Sequence, residues 1–537
     1  MDSGKCGSMG IPRRGFLASC AAAGAVSLMG RATGEAGDSG PARRYHLSIS
    51  PDALDADPDL LSIVRRAGVT DLWLTGFLYG YWYYPLEKTV DWRRRVEAAG
   101  MAAHIINVPL GHPGDSLGAK SGNMPLTPPN HWKLGVRPDD STYAGTSLHD
   151  PATAENAEAM KKVQAAGFKR VFVDDDFRLA RGPGVIGGCF CDEHKKRFLE
   201  SRGYKDPQWA ELLDAVKNRN LTDVLRTWLE FTCDELTASF RAQQAAAPET
   251  RLGIMIMYMG AEKAGIRLAD YRSTPFRVGE LMFDDDSFTP VKGKTNELFS
   301  ALFHRRYARP ELAYSESTAY PADRLSAKNM AAKLAVSTLS DVRNTMFMSG
   351  VTAFPRTHWD TLGPAMKRHI RIHERVAGHT PRGPFKHFWG EHGRKVSGDN
   401  TYSLFLAAGV PFEVCDEPPG DGWTFLGEAD AHGLANILKP GHTRWVAPVE
   451  SGTAQVVPES LPALFALKKE ILPQLKNTPF IEEDKPAVCA WYPTARIALI
   501  WNLSEQKETL TLRTANETRP IEIDGLDVAL IDDVRVS

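Results

Sequence analysis

The stretch from Ala154 to Phe177, AENAEAMKKVQAAGFKRVFVDDDF, decides how the chain is read. Its first half, Ala154–Ala166, is rich in residues that favour a helix, and Gly167 supplies the stop. Its second half, Lys169–Phe177, is apolar up to Val173 and then runs into three consecutive aspartates. A helix stopped by glycine and followed by a buried type of strand is one repeat of an α/β protein with a parallel sheet.

The same alternation recurs on both sides. Upstream lie strands Tyr45–Ser50, Thr70–Phe77 and Met101–Leu110, separated by helices Leu60–Ala67 and Trp92–Ala99 that stop at Gly68 and Gly100. Downstream, Asp192–Ala247 holds several helices, and strands are expected at Leu252–Met259, Glu280–Asp285, Glu311–Glu316 and Thr345–Phe354. Eight strand–helix repeats predict a closed (β/α)8 TIM barrel over residues 45–380. An open doubly wound sheet is the alternative, but no glycine-rich phosphate loop follows the first strand. Residues 383–475 read as a small α/β domain, with Gly398-Asp399-Asn400-Thr401 before a helix and Val410–Val414 as a strand. Residues 484–537 alternate apolar and polar positions, as in Ile497–Trp501 and Val528–Ile531, which predicts a C-terminal β-sandwich.

Composition narrows the function. The chain has 537 residues and a formal net charge of -2, from 64 basic and 66 acidic residues. No long-range field favours nucleic acid or an anionic membrane, so the substrate is expected to be neutral or recognised locally. Arg13 and Arg14 precede an apolar run from Phe16 to Met29, which reads as a Tat export signal over residues 1–36. Small residues near Ala32–Gly34 suit cleavage. The expected destination is periplasmic or secreted. Leu17-Ala18-Ser19-Cys20 resembles a lipobox but comes too early in the apolar run, so lipid anchoring is not expected. No other apolar stretch is long enough to span a bilayer.

Catalytic groups of such a barrel sit at the C-terminal ends of its strands. Three of the expected ends are acidic: Asp174-Asp175-Asp176, Asp284-Asp285-Asp286 and Glu316. Side chains alternate along a strand, so Asp174 and Asp176 share one orientation and Asp175 the other. A carboxylate directly after an apolar run is costly unless solvated, paired or functional. Opposed carboxylates are what glycoside hydrolysis needs, one as acid and one as nucleophile or base. Any one triplet could equally cap a helix. Clustered aspartates also suit hard cations, although no His-x-His pair on the strands supports a metal-dependent hydrolase. Aromatic and polar residues near other strand ends fit a sugar site: Tyr258, then Arg356 with His358 and Trp359, and Asn107. Cys189, Cys191 and His194 have zinc-ligand spacing.

Strand four, its acidic triplet and the segment Gly188-Cys189-Phe190-Cys191-Asp192-Glu193-His194 through Phe198 resemble the corresponding stretch of the glycoside hydrolase family 42 beta-galactosidases, as a divergent member. In that family an Asn-Glu pair ends strand four, a cysteine segment leads into a helix, and strand seven carries the nucleophilic Glu. The resemblance implies Glu316 as nucleophile and Asp176 as acid/base in a retaining reaction. Asp175 stands at the Asn position, and Asp286 helps position substrate. It implies a structural zinc on the cysteine segment, with a fourth ligand after strand three for which His112 is the candidate, and no cofactor for catalysis. It also implies a carbohydrate substrate and an amidotransferase-like middle domain of the kind that forms trimers. Where the family has Asn-Glu this chain has Asp175-Asp176, one methylene shorter at the acid. An inverting hydrolase using Asp176 with Asp286, and a barrel that binds carbohydrate without cleaving it, are the rival readings.

Overall fold

The computed structural model describes residues 43–536 apart from 112–127, 147, 175–176, 181, 183, 280–281, 351, 399–400, 416, 434–442, 448–454, 457–458 and 476. The expected export signal, His112, Asp175 and Asp176 lie outside the described residues.

Eight parallel strands close on themselves: β1 Arg44–Ile49, β2 Asp71–Leu78, β3 Ala102–Val108, β4 Arg170–Val173, β5 Arg251–Met257, β6 Phe276–Gly279, β7 Ala313–Thr318 and β8 Asn344–Met348. Each pairs with its sequence neighbours, and β1 pairs with both β2 and β8, which closes the ring. Alternation along each strand sorts the side chains. Outward positions such as Leu72, Leu74, Ile105, Val171 and Ile254 join the large apolar cluster under the helices. Inward positions Trp73, Ile106, Phe172, Tyr314 and Met346 fill the barrel. The Trp73 and Phe172 rings lie 4.5 Å apart and Phe172 and Tyr314 4.9 Å apart.

Below that layer the N-terminal end is plugged by polar groups. Trp73 Nε1 donates to His46 Nδ1 at 3.1 Å, so His46 Nε2 carries the proton it gives to Asn344 Oδ1 at 3.1 Å. Asn344 Nδ2 donates in turn to the carbonyls of Glu311 and Ala313. Asp71 accepts from Arg44 and pairs with His104 Nε2 at 2.9 Å. These hydrogen bonds meet the demands that burial makes on polar groups.

The helices close where glycine permits it. Gly167, at φ +86, ends Ala152–Ala165, and Gly68, at φ +120, caps Leu60–Ala67. Strand boundaries depart from expectation. Strand six is Phe276–Gly279, not Glu280–Asp285. Its register is fixed by Ile254 on one side and Ala313 on the other, both opposite Phe276. The apolar Met282 and Phe283 fall instead in the loop that follows, where Lys333 Nζ donates to the Met282 carbonyl at 3.0 Å.

A five-stranded parallel sheet follows: Phe385–Phe388, Phe412–Cys415, Gly422–Phe425, Thr443–Ala447 and Gln455–Val456, in spatial order second, first, third, fourth, fifth. Past its first strand, Asp430 accepts from the backbone N–H groups of Gly390 and Gly393 at 2.8 and 3.0 Å. A Cβ at either glycine would come within 2.5 Å of that carboxylate. The helix expected after Thr401 is a 3-10 turn, Ser403–Ala407. Two three-stranded antiparallel sheets end the chain around Ile481, Cys489, Ile500, Leu510, Leu512 and Ile521. They rest on the barrel: Tyr492 Oη donates to the Leu339 carbonyl at 2.9 Å, and Arg368 pairs with Asp527 at 2.6 Å. Among the described residues no helix is long and apolar enough to cross a membrane.

Candidate active site

Glu316 lies two residues beyond Tyr314 on β7, so it shares Tyr314's inward orientation and stands one layer nearer the C-terminal mouth. It is 5% exposed. Beside it, Arg277 of β6 is fully buried, at 0%. Arg277 Nε lies 3.0 Å from Glu316 Oε2. The same guanidinium pairs with the Asp174 carboxylate, which follows β4. Its Nη1 touches Met346 Sδ at 2.9 Å, and its carbon sits 5.1 Å from the Phe172 ring centroid. The Thr318 hydroxyl donates to Glu316 Oε1. Burying a guanidinium costs several kcal/mol unless counter-charges meet it. Two carboxylates, one on β7 and one just past β4, do so here. An arginine fork suits that task, because its N–H groups diverge in one plane.

The other expected site residues are distributed differently. Asp174 is the member of the first triplet that the described residues include, and it faces inward. The second triplet follows no strand. Asp284 caps the short helix Asp285–Phe288 by accepting from Ser287 N at 2.8 Å. Asp285 accepts from Ser326 N and Asn329 Nδ2 at the start of Ala327–Leu339. The Asp286 side chain is 93% exposed, 3.9 Å from Arg324, so a role in the barrel mouth gives way to that of a solvated loop acid.

Asn107 points to the helices: its Oδ1 accepts from Phe77 N at 2.9 Å and its Nδ2 approaches Met160 Sδ. It fills the space beside Gly76, where a Cβ would lie 2.3 Å from Asn107 Oδ1. Tyr258 is buried in the outer apolar cluster, with a left-handed backbone at φ 46 and its carbonyl bonded to Ser300 Oγ. Arg356 donates to Asp57, tying the loop after β8 to the loop after β1. His358 Nε2 lies 3.0 Å from the Leu325 carbonyl. Trp359 is 3% exposed and packs edge-on against Phe347 and Phe354. A ring so buried offers no face to a sugar, so the expected Trp359 platform is a core residue.

The cysteine segment forms a compact cluster that includes His149. His149 Nε2 lies 3.4 Å from Cys191 Sγ, which lies 3.2 Å from His194 Nδ1. The donor atoms of these three residues all fall within 4.8 Å of one another. Tetrahedral zinc with about 2.3 Å bonds to sulfur and about 2.0–2.1 Å bonds to nitrogen sets sulfur–nitrogen separations of about 3.5 Å, close to the two sulfur–nitrogen distances here. His149 Nδ1 is 3.1 Å from Glu193, the outer carboxylate contact that orients many metal-binding histidines. Cys189 hydrogen-bonds to Cys191, and the Val136 N–H points to its Sγ at 3.4 Å. The Cys189 thiol, with both imidazoles behind it, holds Cys191 well below the ordinary thiol range, whereas Cys189 itself is raised by its bond to Cys191 and by burial. The donor set is therefore one that zinc accepts, with His149, Cys191 and His194 as the residues that would hold it.

Two of these residues were missed in the sequence. Arg277 sits in a four-residue strand behind Pro275, where one charge among apolar neighbours was the available signal. His149 lies 40 residues before Cys189, so only chain closure reveals it.

No protein-family model and no curated protein matches the chain. Among solved structures it is similar to the cold-adapted beta-galactosidase of Rahnella sp. R3, with TM-score 0.57 and 9% identity over 92% of this chain and 98% of that one. It is also similar to the beta-galactosidase of Bacillus circulans sp. alkalophilus, with TM-score 0.57, 10% identity and coverage of 92% and 99%. A third is the beta-galactosidase of the psychrophilic Marinomonas ef1, with TM-score 0.56, 9% identity and coverage of 91% and 99%. At these identities the likeness is one of fold: the chain shares with those enzymes a closed eight-stranded parallel barrel followed by further sheets.

Proposed function

We propose that the protein is a glycoside hydrolase whose reacting carboxylate is Glu316. The observation that carries this reading is a buried, inward-facing glutamate at the mouth end of β7, ion-paired to a buried arginine, in a barrel of the beta-galactosidase fold. Glu316 would attack the anomeric carbon, and Asp176 would protonate the leaving oxygen in a retaining double displacement. Asp175 would help hold the sugar. The exposure of Asp286 weighs against the inverting alternative.

Beta-galactosides are the first substrates to test, because the solved structures of like fold carry that name. The cysteine–histidine cluster would bind a structural zinc that ties the loop after β3 to the loop after β4. Residues 45–380, 383–475 and 484–537 would act as catalytic barrel, trimer-forming α/β unit and β-sandwich. Arg13 and Arg14 would direct Tat export. The deciding experiment is a screen of 4-nitrophenyl glycosides and polysaccharides with product analysis. Turnover of at least one glycoside is expected, and a folded, metal-replete chain that cleaves none would remove the reading.

A further inference from the structure

We propose that Arg277 is a positioning residue, which fixes the direction and the charge of Glu316 by clamping it to Asp174 across the barrel. The proposal rests on the reading of Glu316 as the reacting carboxylate. It arises from a displacement that the sequence hid: strand six brings a cation to the mouth where three acids were expected.

The geometry is specific. Arg277 shares β6 with no other charged residue, and its side chain reaches a neighbour on β7 and another after β4. Phe172 lies against the guanidinium and Met346 meets Nη1, so the plane has little freedom to turn. Among the described residues, the charged groups paired with it are Asp174 from the β4 end and Glu316 from β7. Phe172 and Met346, on β4 and β8, do not titrate. Arginine keeps its proton at every working pH. Its positive charge next to Glu316 therefore favours the ionised carboxylate, the form a nucleophile needs. The Thr318 hydroxyl engages Oε1, while the cation faces Oε2. Both oxygens thus have a defined neighbour, which limits rotation of the carboxylate.

A purely structural arginine would behave otherwise. A buried ion cluster can be replaced by apolar residues of similar size with little loss, or even a gain, in stability. Such a replacement would leave the chemistry alone. A positioning arginine would lose rate while substrate binding persisted.

The test uses the full chain with the 4-nitrophenyl glycoside that the wild type cleaves best. Arg277→Met is expected to lower kcat by about 100-fold or more with KM changed less than about threefold, and to raise the acidic limb of the pH profile. Arg277→Lys keeps the charge but not the fork, and is expected to recover about tenfold of that loss. Should Arg277→Met fail to fold, Asp174→Asn reads the same clamp from its other end. With the Asp174 charge gone, Arg277 acts more strongly on Glu316, and the acidic limb of this variant should move down. A folded Arg277→Met with wild-type kcat and acidic limb, or an unmoved limb in Asp174→Asn, would overturn the proposal while the hydrolase reading stood. A wild type inactive on every glycoside would instead sink the hydrolase reading, and a kinetic role for Arg277 with it.

Discussion

The inward placement of Glu316 was legible in the sequence because alternation from an apolar strand leaves few ways to place a terminal acid. Asp286 and Trp359 misled for opposite reasons. An acid after apolar residues looks like a strand end even when those residues belong to a loop. A tryptophan after the last strand looks like a platform even when helix His358–Val376 turns it inward. The structure makes both errors measurable. Asp286→Asn removes an exposed charge with one distant partner and should change stability by less than about 0.5 kcal/mol, with activity unaffected. Trp359→Ala empties a core position and should cost about 3–5 kcal/mol, read by denaturant unfolding. A Trp359→Ala protein of native stability but greatly raised KM would return that ring to the substrate.

Elements and their loops carry the cysteine–histidine cluster. Cys189, Cys191 and His194 are close in sequence and visible there, but His149 arrives from the preceding loop. The hairpin of Leu134–Val136 with Thr142–Thr146 is docked on the cysteine segment by the Phe190 N–H to Val136 carbonyl bond at 2.9 Å. The protein should contain about one zinc per chain by elemental analysis. Because metal binds the folded chain preferentially, chelation should lower Tm, and His149→Ala should lower both zinc content and Tm. A zinc-free preparation with the same Tm as a zinc-supplemented one would leave the cluster as packing. Strand six shows the limit of pattern reading at this scale: four residues are too short for periodicity, and the neighbours on β5 and β7 set the register.

Over the whole molecule, the repeat of strand and glycine-stopped helix made the barrel legible, while strand ends shifted by several residues because pairing, not propensity, fixes them. The polar plug beneath Trp73 was not legible, since a lone histidine or aspartate in a strand has no sequence mark of its partners. Its His46, together with two buried histidines outside the plug, has a consequence for stability. Burial pushes His46, His304 and His387 down to about 4, from an ordinary value of 6.5. Between those values the unfolded chain takes up protons that the folded chain refuses, so stability is full above about pH 6.5 and falls as the pH drops toward 4. Melting temperatures measured across that window should decline steadily with acid. A flat profile would mean that these imidazoles are not held neutral.

The central claim is that Glu316 performs chemistry in this barrel, and one substitution addresses it directly. Glu316→Gln keeps the shape of the side chain and removes its negative charge. On the best 4-nitrophenyl glycoside, turnover should fall by about 10³-fold or more while binding of the unreacted glycoside survives, because the charge acts mainly in the transition state. A folded Glu316→Gln protein that hydrolyses the same glycoside at the wild-type rate would contradict the account.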